Sequence, residues 1–392
     1  MQDYVHLHVH TQYSLLDGQA SVSRLVDKAI ADGMRGMAIT DHGNMFGVKE
    51  FFDYCQKVNK KRKQEGLEPF KPIFGCEMYV CPRRKEDKNK EMGDGRRYHL
   101  VVLAKNETGY HNLVKLVSRS WTDGFYNKPR TDREDLERYH EGLIISTACI
   151  AGEIPRAIRL GDIPMAEEAI LWYKRVFGDD FYLELQRHEV KDPRQNANRE
   201  TFPLQQQVNA QLVKLAHKHG VKYLCTNDVH FVDEENAEAH DRLICLSTGR
   251  DLDDPKRMLY SKQEWFKTRA EMNAIFADLP EALSTTCEVL DKVETYNLDS
   301  NPIMPYFPIP EDFGTEALWR DRFTEDELFR EFTSDENGEN PLPEDEGRAK
   351  IEKLGGIDRL YRIKFEADYL GKLTYEGAER LYPMPQIGRA HV

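Results

Sequence analysis

Several things are missing from this chain. No run of its 392 residues approaches the length of a membrane span, and the N-terminus lacks the basic-then-apolar pattern of a secretory signal. No Cys-x-x-Cys pair occurs. The seven cysteines (Cys55, Cys76, Cys81, Cys149, Cys225, Cys245 and Cys287) are scattered and odd in number. They fit a reducing cytoplasm better than a disulfide scaffold, so a cytoplasmic protein with no membrane partner is expected. Positive charge is in the minority: 55 Lys and Arg face 68 Asp and Glu, for a formal net charge of -13. That balance argues against a protein that coats nucleic acid non-specifically, though a locally basic groove stays open.

What is present describes an ordinary soluble protein, 40% hydrophobic and 31% charged, long enough for one large domain and a smaller one. Basic residues gather in Lys60-Lys61-Arg62-Lys63, Arg83-Arg84-Lys85 and Arg96-Arg97, and acidic ones between Glu311 and Glu346. The densest signal is Val5-His6-Leu7-His8-Val9-His10. Side chains in a strand repeat every two residues, so the three histidines share a face. Burying three imidazoles is costly unless something binds them, and histidine is the commonest metal ligand.

The apolar pattern predicts strands at 4–9, 37–40, 72–74, 99–104, 143–146, 181–185 and 223–226, alternating with helices at 21–32, 47–65, 110–121, 153–160, 164–177 and 204–219. Such alternation indicates a parallel α/β sheet, either open or closed into a barrel. Metal-type residues recur at strand ends: His8 and His10, Asp41-His42, Glu77, Cys149, then Asp228 and His230. An open sheet concentrates its site at one switch point, whereas a barrel collects residues from many strands, so a barrel is expected. With Asp17 and His99 the candidate ligands number nine: His8, His10, Asp17, His42, Glu77, His99, Cys149, Asp228 and His230. Nine exceed the needs of one zinc and suffice for two or three metals sharing a carboxylate. The mixture of nitrogen and oxygen suits Zn, Mn or Fe rather than Ca.

Four stretches carry a family resemblance: His8-Val9-His10-Thr11-Gln12-Tyr13-Ser14-Leu15-Leu16-Asp17-Gly18, Ala38-Ile39-Thr40-Asp41-His42-Gly43-Asn44-Met45-Phe46-Gly47, Gly75-Cys76-Glu77-Met78-Tyr79 and Thr226-Asn227-Asp228-Val229-His230. They resemble the polymerase and histidinol phosphatase (PHP) domain, and more narrowly the N-terminus of bacterial replicative DNA polymerase III alpha subunits. A weaker likeness runs on to Tyr361-Arg362-Ile363-Lys364-Phe365-Glu366, so that residues 4 to 382 are covered. The resemblance implies a distorted (β/α)7 TIM-like barrel over residues 1–285, followed at 286–386 by the incomplete start of a polymerase palm. It implies one metal on His8, His10, Glu77 and Asp228, a second on Glu77, His99 and Cys149, and a third on Asp17, His42 and His230. His10, Glu77 and Asp228 are the candidates for carrying catalysis. His6 falls outside this set.

The implied activity is a metal-dependent phosphodiesterase acting as a 3′-to-5′ proofreading exonuclease. DNA with a primer 3′ end, other replisome subunits and a separate proofreading exonuclease are the implied partners. Arg83, Arg84, Arg96 and Arg97 are candidates to position the phosphate backbone. Two other functions compete: a small-molecule phosphatase such as histidinol phosphatase, and a non-catalytic, metal-stabilised scaffold. The Pro-Asp-x-Asp-x-Asp-Phe type motif of the polymerase reaction does not occur; the nearest run, Asp251-Leu252-Asp253-Asp254-Pro255, reads as a turn. The final Ile387-Gly388-Arg389-Ala390-His391-Val392 is expected to be a non-native tail on a truncated reading frame.

Overall fold

The computed structural model describes residues 1–190, 201–300, 302, 305, 307–335 and 338–382, and the chain divides into compact units after Ser300. The expected tail at 387–392 lies outside the described residues. In the first unit the chain runs through α1 (Val22–Ala31), β1 (Gly36–Ile39), α2 (Val48–Gln64), β2 (Lys71–Val80), β3 (Tyr98–Ala104), α3 (Glu107–Thr122), β4 (Arg130–Thr131), α4 (Arg133–Arg138) and β5 (Leu143–Ser146). It continues through α5 (Glu153–Arg159), α6 (Ile163–Phe177), β6 (Phe181–Gln186), α7 (Thr201–His219), β7 (Lys222–Thr226), α8 (Ala237–Thr248), α9 (Arg269–Ile275) and α10 (Pro280–Lys292). Strands such as Gly36–Ile39 and Leu143–Ser146 are buried along their whole length, as expected where helices cover a sheet.

The sheet order is β1-β2-β3-β5-β6-β7, with the short β4 beside the far end of β2. The N-terminal segment closes the ring. Its His6 and Val9 carbonyls accept from the amides of Ala38 and Thr40 beyond one edge. On the other edge His10 N–H donates to Val229 and Val229 N–H to His8. The outcome is a mixed α/β barrel distorted from the regular form.

One expectation is corrected: the sheet is not all parallel. β3 runs antiparallel to both β2 and β5. The loop 81–97 holds no helix to carry the chain back, and only antiparallel neighbours can be joined without a crossover. The inversion moves the start of β3 to the end of the ring where the other strands finish, which is how His99 reaches the mouth. β2 is also longer than the apolar run 72–74. It continues through Gly75, where a Cβ would meet the Val102 carbonyl of β3 at 2.8 Å. Glu77 therefore projects from the interior of a long strand, not from its end.

The boundary expected at 285 cuts through α10. Leu283, Val289, Leu290 and Val293 lie in the main core, and the first unit extends to Ser300. The second unit comprises α11 (Glu316–Arg322), α12 (Glu325–Thr333), α13 (Glu344–Leu354) and α14 (Ile357–Leu381) around a small core of Leu328, Ile351, Leu360 and Tyr361. Among the described residues no helix is long and apolar enough to cross a membrane.

Candidate metal centre

Period-two geometry brings His8 and His10 to the same interior face, with their Nε2 atoms 3.2 Å apart. Asp228, just past β7, sets its Oδ1 3.2 Å from each of those nitrogens. Glu77 stands opposite. Its Oε1 lies 3.4 Å from His8 Nε2 and 2.8 Å from His99 Nδ1, while its Oε2 is 3.6 Å from His10 Nε2 and 2.6 Å from His42 Nδ1. His42 reaches outward as well, Nε2 to Asp17 Oδ2 at 2.8 Å, and His230 Nε2 lies 3.9 Å from that same oxygen. Cys149 Sγ is 3.7 Å from His99 Nδ1. All nine candidate ligands thus meet at one mouth. Among the described residues three trios have donor atoms within 4.8 Å of one another: His8, His10 and Asp228; His42, Glu77 and His99; His10, His42 and His230.

Protein partners do not satisfy this cluster. Glu77 Oε2, His42 Nδ1 and Asp228 Oδ1 are buried without a hydrogen bond; the first two approach closely but out of alignment. Buried polar atoms left this way are costly unless an ion completes them. The backbone is strained at the same place. Leu16 beside Asp17, Ala148 beside Cys149, and Asp228 itself have φ of 60°, 56° and 48°. Non-glycine residues in the left-handed region cluster at functional sites.

Electrostatics keep the carboxylates charged. Burial opposes ionisation of Glu77, but His99 and His42 hold it well below the usual range. Burial likewise works against Asp228 and Asp17. His8 and His10 outweigh it at Asp228, His42 and His230 at Asp17, and both stay depressed. Burial, with His42 and His230 nearby, pushes His10 down to about 3 and leaves a neutral donor. His42 goes the other way: against burial, Glu77 and Asp17 raise it to about 10. Burial, then Asp228 and Glu77, lift the Cys149 thiol well above its ordinary value. Anionic oxygens, imidazoles and one thiol converging with orphaned lone pairs fit divalent metal ions.

A supporting layer escaped the sequence analysis. Glu184 on β6 sits 2.7 Å from His8 Nδ1 and accepts from Ser146, Thr226 and Gln186, which aims His8 Nε2 inward. Ser14 Oγ, 2.9 Å from His10 Nδ1, donates to the buried Asp41, which also takes Thr11 N–H. Asp17 has no strand beneath it. Tyr260 O–H donates to its Oδ1 at 2.9 Å, and His240 Nε2 bonds its carbonyl at 2.9 Å. An acidic residue inside the apolar run Phe181–Gln186 was the one available signal for Glu184; Tyr260 offered none.

His6 stays outside the cluster, bonded to Tyr4 O–H and to the Lys267 carbonyl. His188 is buried between Gln205 and Asn227. The four arginines of the basic loop differ in company. Arg83 is matched by Asp94 at 2.8 and 2.9 Å, and Arg84 lies 3.5 Å from Glu86. Arg96 is exposed beside Gly93, whereas Arg97 stacks over Tyr79 at 5.6 Å, next to His42 and His99. Fully buried Arg130 pins the loop, donating to the carbonyls of Lys85, Asp87 and Asp94.

Residues 6–188 match the PHP domain family. The DNA polymerase III subunit alpha of Borreliella burgdorferi is 42% identical over 82% of this chain and 26% of its own length. That of Treponema pallidum is 37% identical over 80% and 25%, and that of Thermus aquaticus 38% identical over 81% and 25%. The chain thus spans about a quarter of the length of these curated relatives. A putative metal-dependent phosphoesterase from Bifidobacterium adolescentis, of known structure, is 14% identical over 70% of this chain and 96% of its own, with a TM-score of 0.36. Residues 6–188 thus carry a PHP domain, and about four fifths of the chain is similar to DNA polymerase III alpha subunits.

Proposed function

We propose that the barrel mouth is a metal-dependent phosphodiesterase site that removes nucleotides from a DNA 3′ end within a replicative polymerase. The observation that carries this reading is Glu77: one carboxylate, fully buried, faces His8, His10, His42 and His99 with an oxygen left unbonded. A carboxylate so placed suits a bridge between two cations. His8, His10, Glu77 and Asp228 would hold one ion, Glu77, His99 and Cys149 a second, and Asp17, His42 and His230 a third. Bound divalent cations would polarise the phosphoryl oxygens and lower the pKa of a water. The chain's own residues do the rest. Glu184 fixes the His8 ring, Ser14 the His10 ring, and Tyr260 the Asp17 carboxylate. Depressed carboxylates stay anionic and neutral His10 offers its lone pair.

Similarity to DNA polymerase III alpha subunits supports DNA as substrate, replisome subunits as partners and the region expected at 286–386 as the start of a polymerase palm. The test pairs exonuclease rate on labelled single-stranded DNA with melting temperature, with and without added metal, in wild type, His10→Ala and Asp228→Ala. Nucleotide release that both variants lose while keeping their fold supports the site as catalytic. A wild-type chain that is metal-loaded, folded and inert on every 3′ end leaves the scaffold role instead. Preference for a small phosphomonoester over DNA favours the histidinol-phosphatase-like alternative.

A further inference from the structure

Beside the candidate centre lies a contiguous set of exposed aromatic rings. Phe46, Trp121 and Phe125 are 58%, 43% and 44% exposed. Trp121 and Phe125 are stacked with centroids 5.6 Å apart, and Phe46 lies 6.4 Å from Trp121 on the other side. Single exposed apolar residues such as Leu171 and Leu246 need no explanation, but a row of adjoining rings does.

The row is tied to the mouth. Trp121 Nε1 donates to the Gly43 carbonyl at 2.8 Å, one residue from His42. Pro129, on the same loop as Phe125, packs so close to Gly43 that a Cβ there would meet its Cγ at 2.7 Å. Phe46 belongs to the loop that carries His42. Tyr79 packs beside Gly43 as well, with its ring 6.0 Å from that of His42 and 5.2 Å from that of His99. Two cations lie over Tyr79: the Arg97 guanidinium at 5.6 Å and the Lys128 ammonium at 5.8 Å. The neighbouring carboxylates have partners, Asp123 with Arg119 at 3.3 Å and Glu50 with Tyr13 O–H at 2.7 Å.

Exposed aromatic faces and two cations on the neighbouring Tyr79, beside the proposed phosphodiesterase site, match one ligand chemistry: bases with exposed π-faces strung on a charged backbone. A duplex hides those faces. We infer that Phe46, Trp121 and Phe125 form a stacking platform for single-stranded polynucleotide, with Arg97 and Lys128 taking its phosphates and its 3′ end directed to the centre. The inference rests on the function proposed above and supplies its substrate form.

The experiment measures binding, not cleavage. A fluorescent oligothymidylate of about ten nucleotides, with phosphorothioate linkages at its 3′ end to resist hydrolysis, is titrated with the full chain by anisotropy. Trp121→Ala and Phe125→Ala should each weaken binding about tenfold, and Trp121→Phe should keep most of it. Arg97→Ala and Lys128→Ala should each lower the slope of log affinity against log salt by about one. A blunt duplex of the same length should bind more weakly. Phe125→Ala guards against misfolding, because Phe125 lacks the Gly43 contact that Trp121 makes. Unchanged affinity in both alanine variants, or equal affinity for the duplex, overturns the platform and leaves these rings as a protein-docking face. A wild-type chain that shows these binding losses on substitution yet never cleaves DNA keeps the platform and overturns the nuclease reading.

Discussion

His6 and His8 stand two residues apart on one segment, equally buried, and favour opposite protonation states. Deeper in the barrel, His6 meets a phenol and a carbonyl, and burial drives its pKa down to about 3. At the mouth burial also opposes the charge on His8, but Asp228 and Glu184 outweigh it and raise His8 well above its ordinary value. Depth does not distinguish the two layers; the company of carboxylates does. A buried imidazole with neutral partners is a finished piece of core, and one between acids is a site still open to a cation.

The largest effect should come from removing the acid that joins the mouth together. Glu77→Ala should cost at least one bound metal per chain, by elemental analysis after metal-replete expression, and more than Cys149→Ala costs. Equal losses in the two variants would break the bridging role. Glu184→Ala tests whether support from beneath matters. It should weaken metal binding by roughly 10–100-fold in calorimetric titration, because His8 loses the carboxylate that orients it. Tyr260→Phe should act more weakly, by about tenfold, and on the Asp17-dependent ion alone, leaving the other ions in place.

The deeper layer should act on folding stability and not on metal binding. Lys267, whose carbonyl accepts from His6, packs its ammonium over Trp265, and burial lowers its pKa from 10.5 to about 7. Between those values the unfolded chain holds a proton on Lys267 that the folded chain lacks, so this group favours folding as the pH rises, while the raised His8 and His42 slope the other way in the metal-free chain. The stability of metal-free wild type relative to Lys267→Met should therefore rise by up to about 1.4 kcal/mol per pH unit between pH 7 and 10 in denaturant melts. A difference between the two that does not change with pH would remove Lys267 as the titrating group.

Much of the mouth was legible because it is written in local periodicity. His8 and His10 share a face by the strand repeat, and Asp41-His42-Gly43 and Asn227-Asp228-Val229-His230 follow apolar runs directly. The strands at 143–146 and 181–185 were legible for the same reason: buried strands show apolar runs with clear ends, broken in the second only by Glu184. Strand direction leaves no such trace, so the inversion of β3 was invisible and His99 looked misplaced at its strand's beginning. Glu77 looked like a terminus because Gly75 resembles a break, although it permits a close approach to β3.

The sequence by itself determined the alternating architecture, the closed-ring expectation and the nine candidate donors, since each depends on residue type and short spacing. Tertiary structure alone decided that β3 runs backwards, that Glu184 and Tyr260 hold two of those donors from far along the chain, and that three aromatic rings adjoin the mouth. The reason is range. Pairing across tens or hundreds of residues is chosen by the packing of the whole barrel, and no segment carries that information alone.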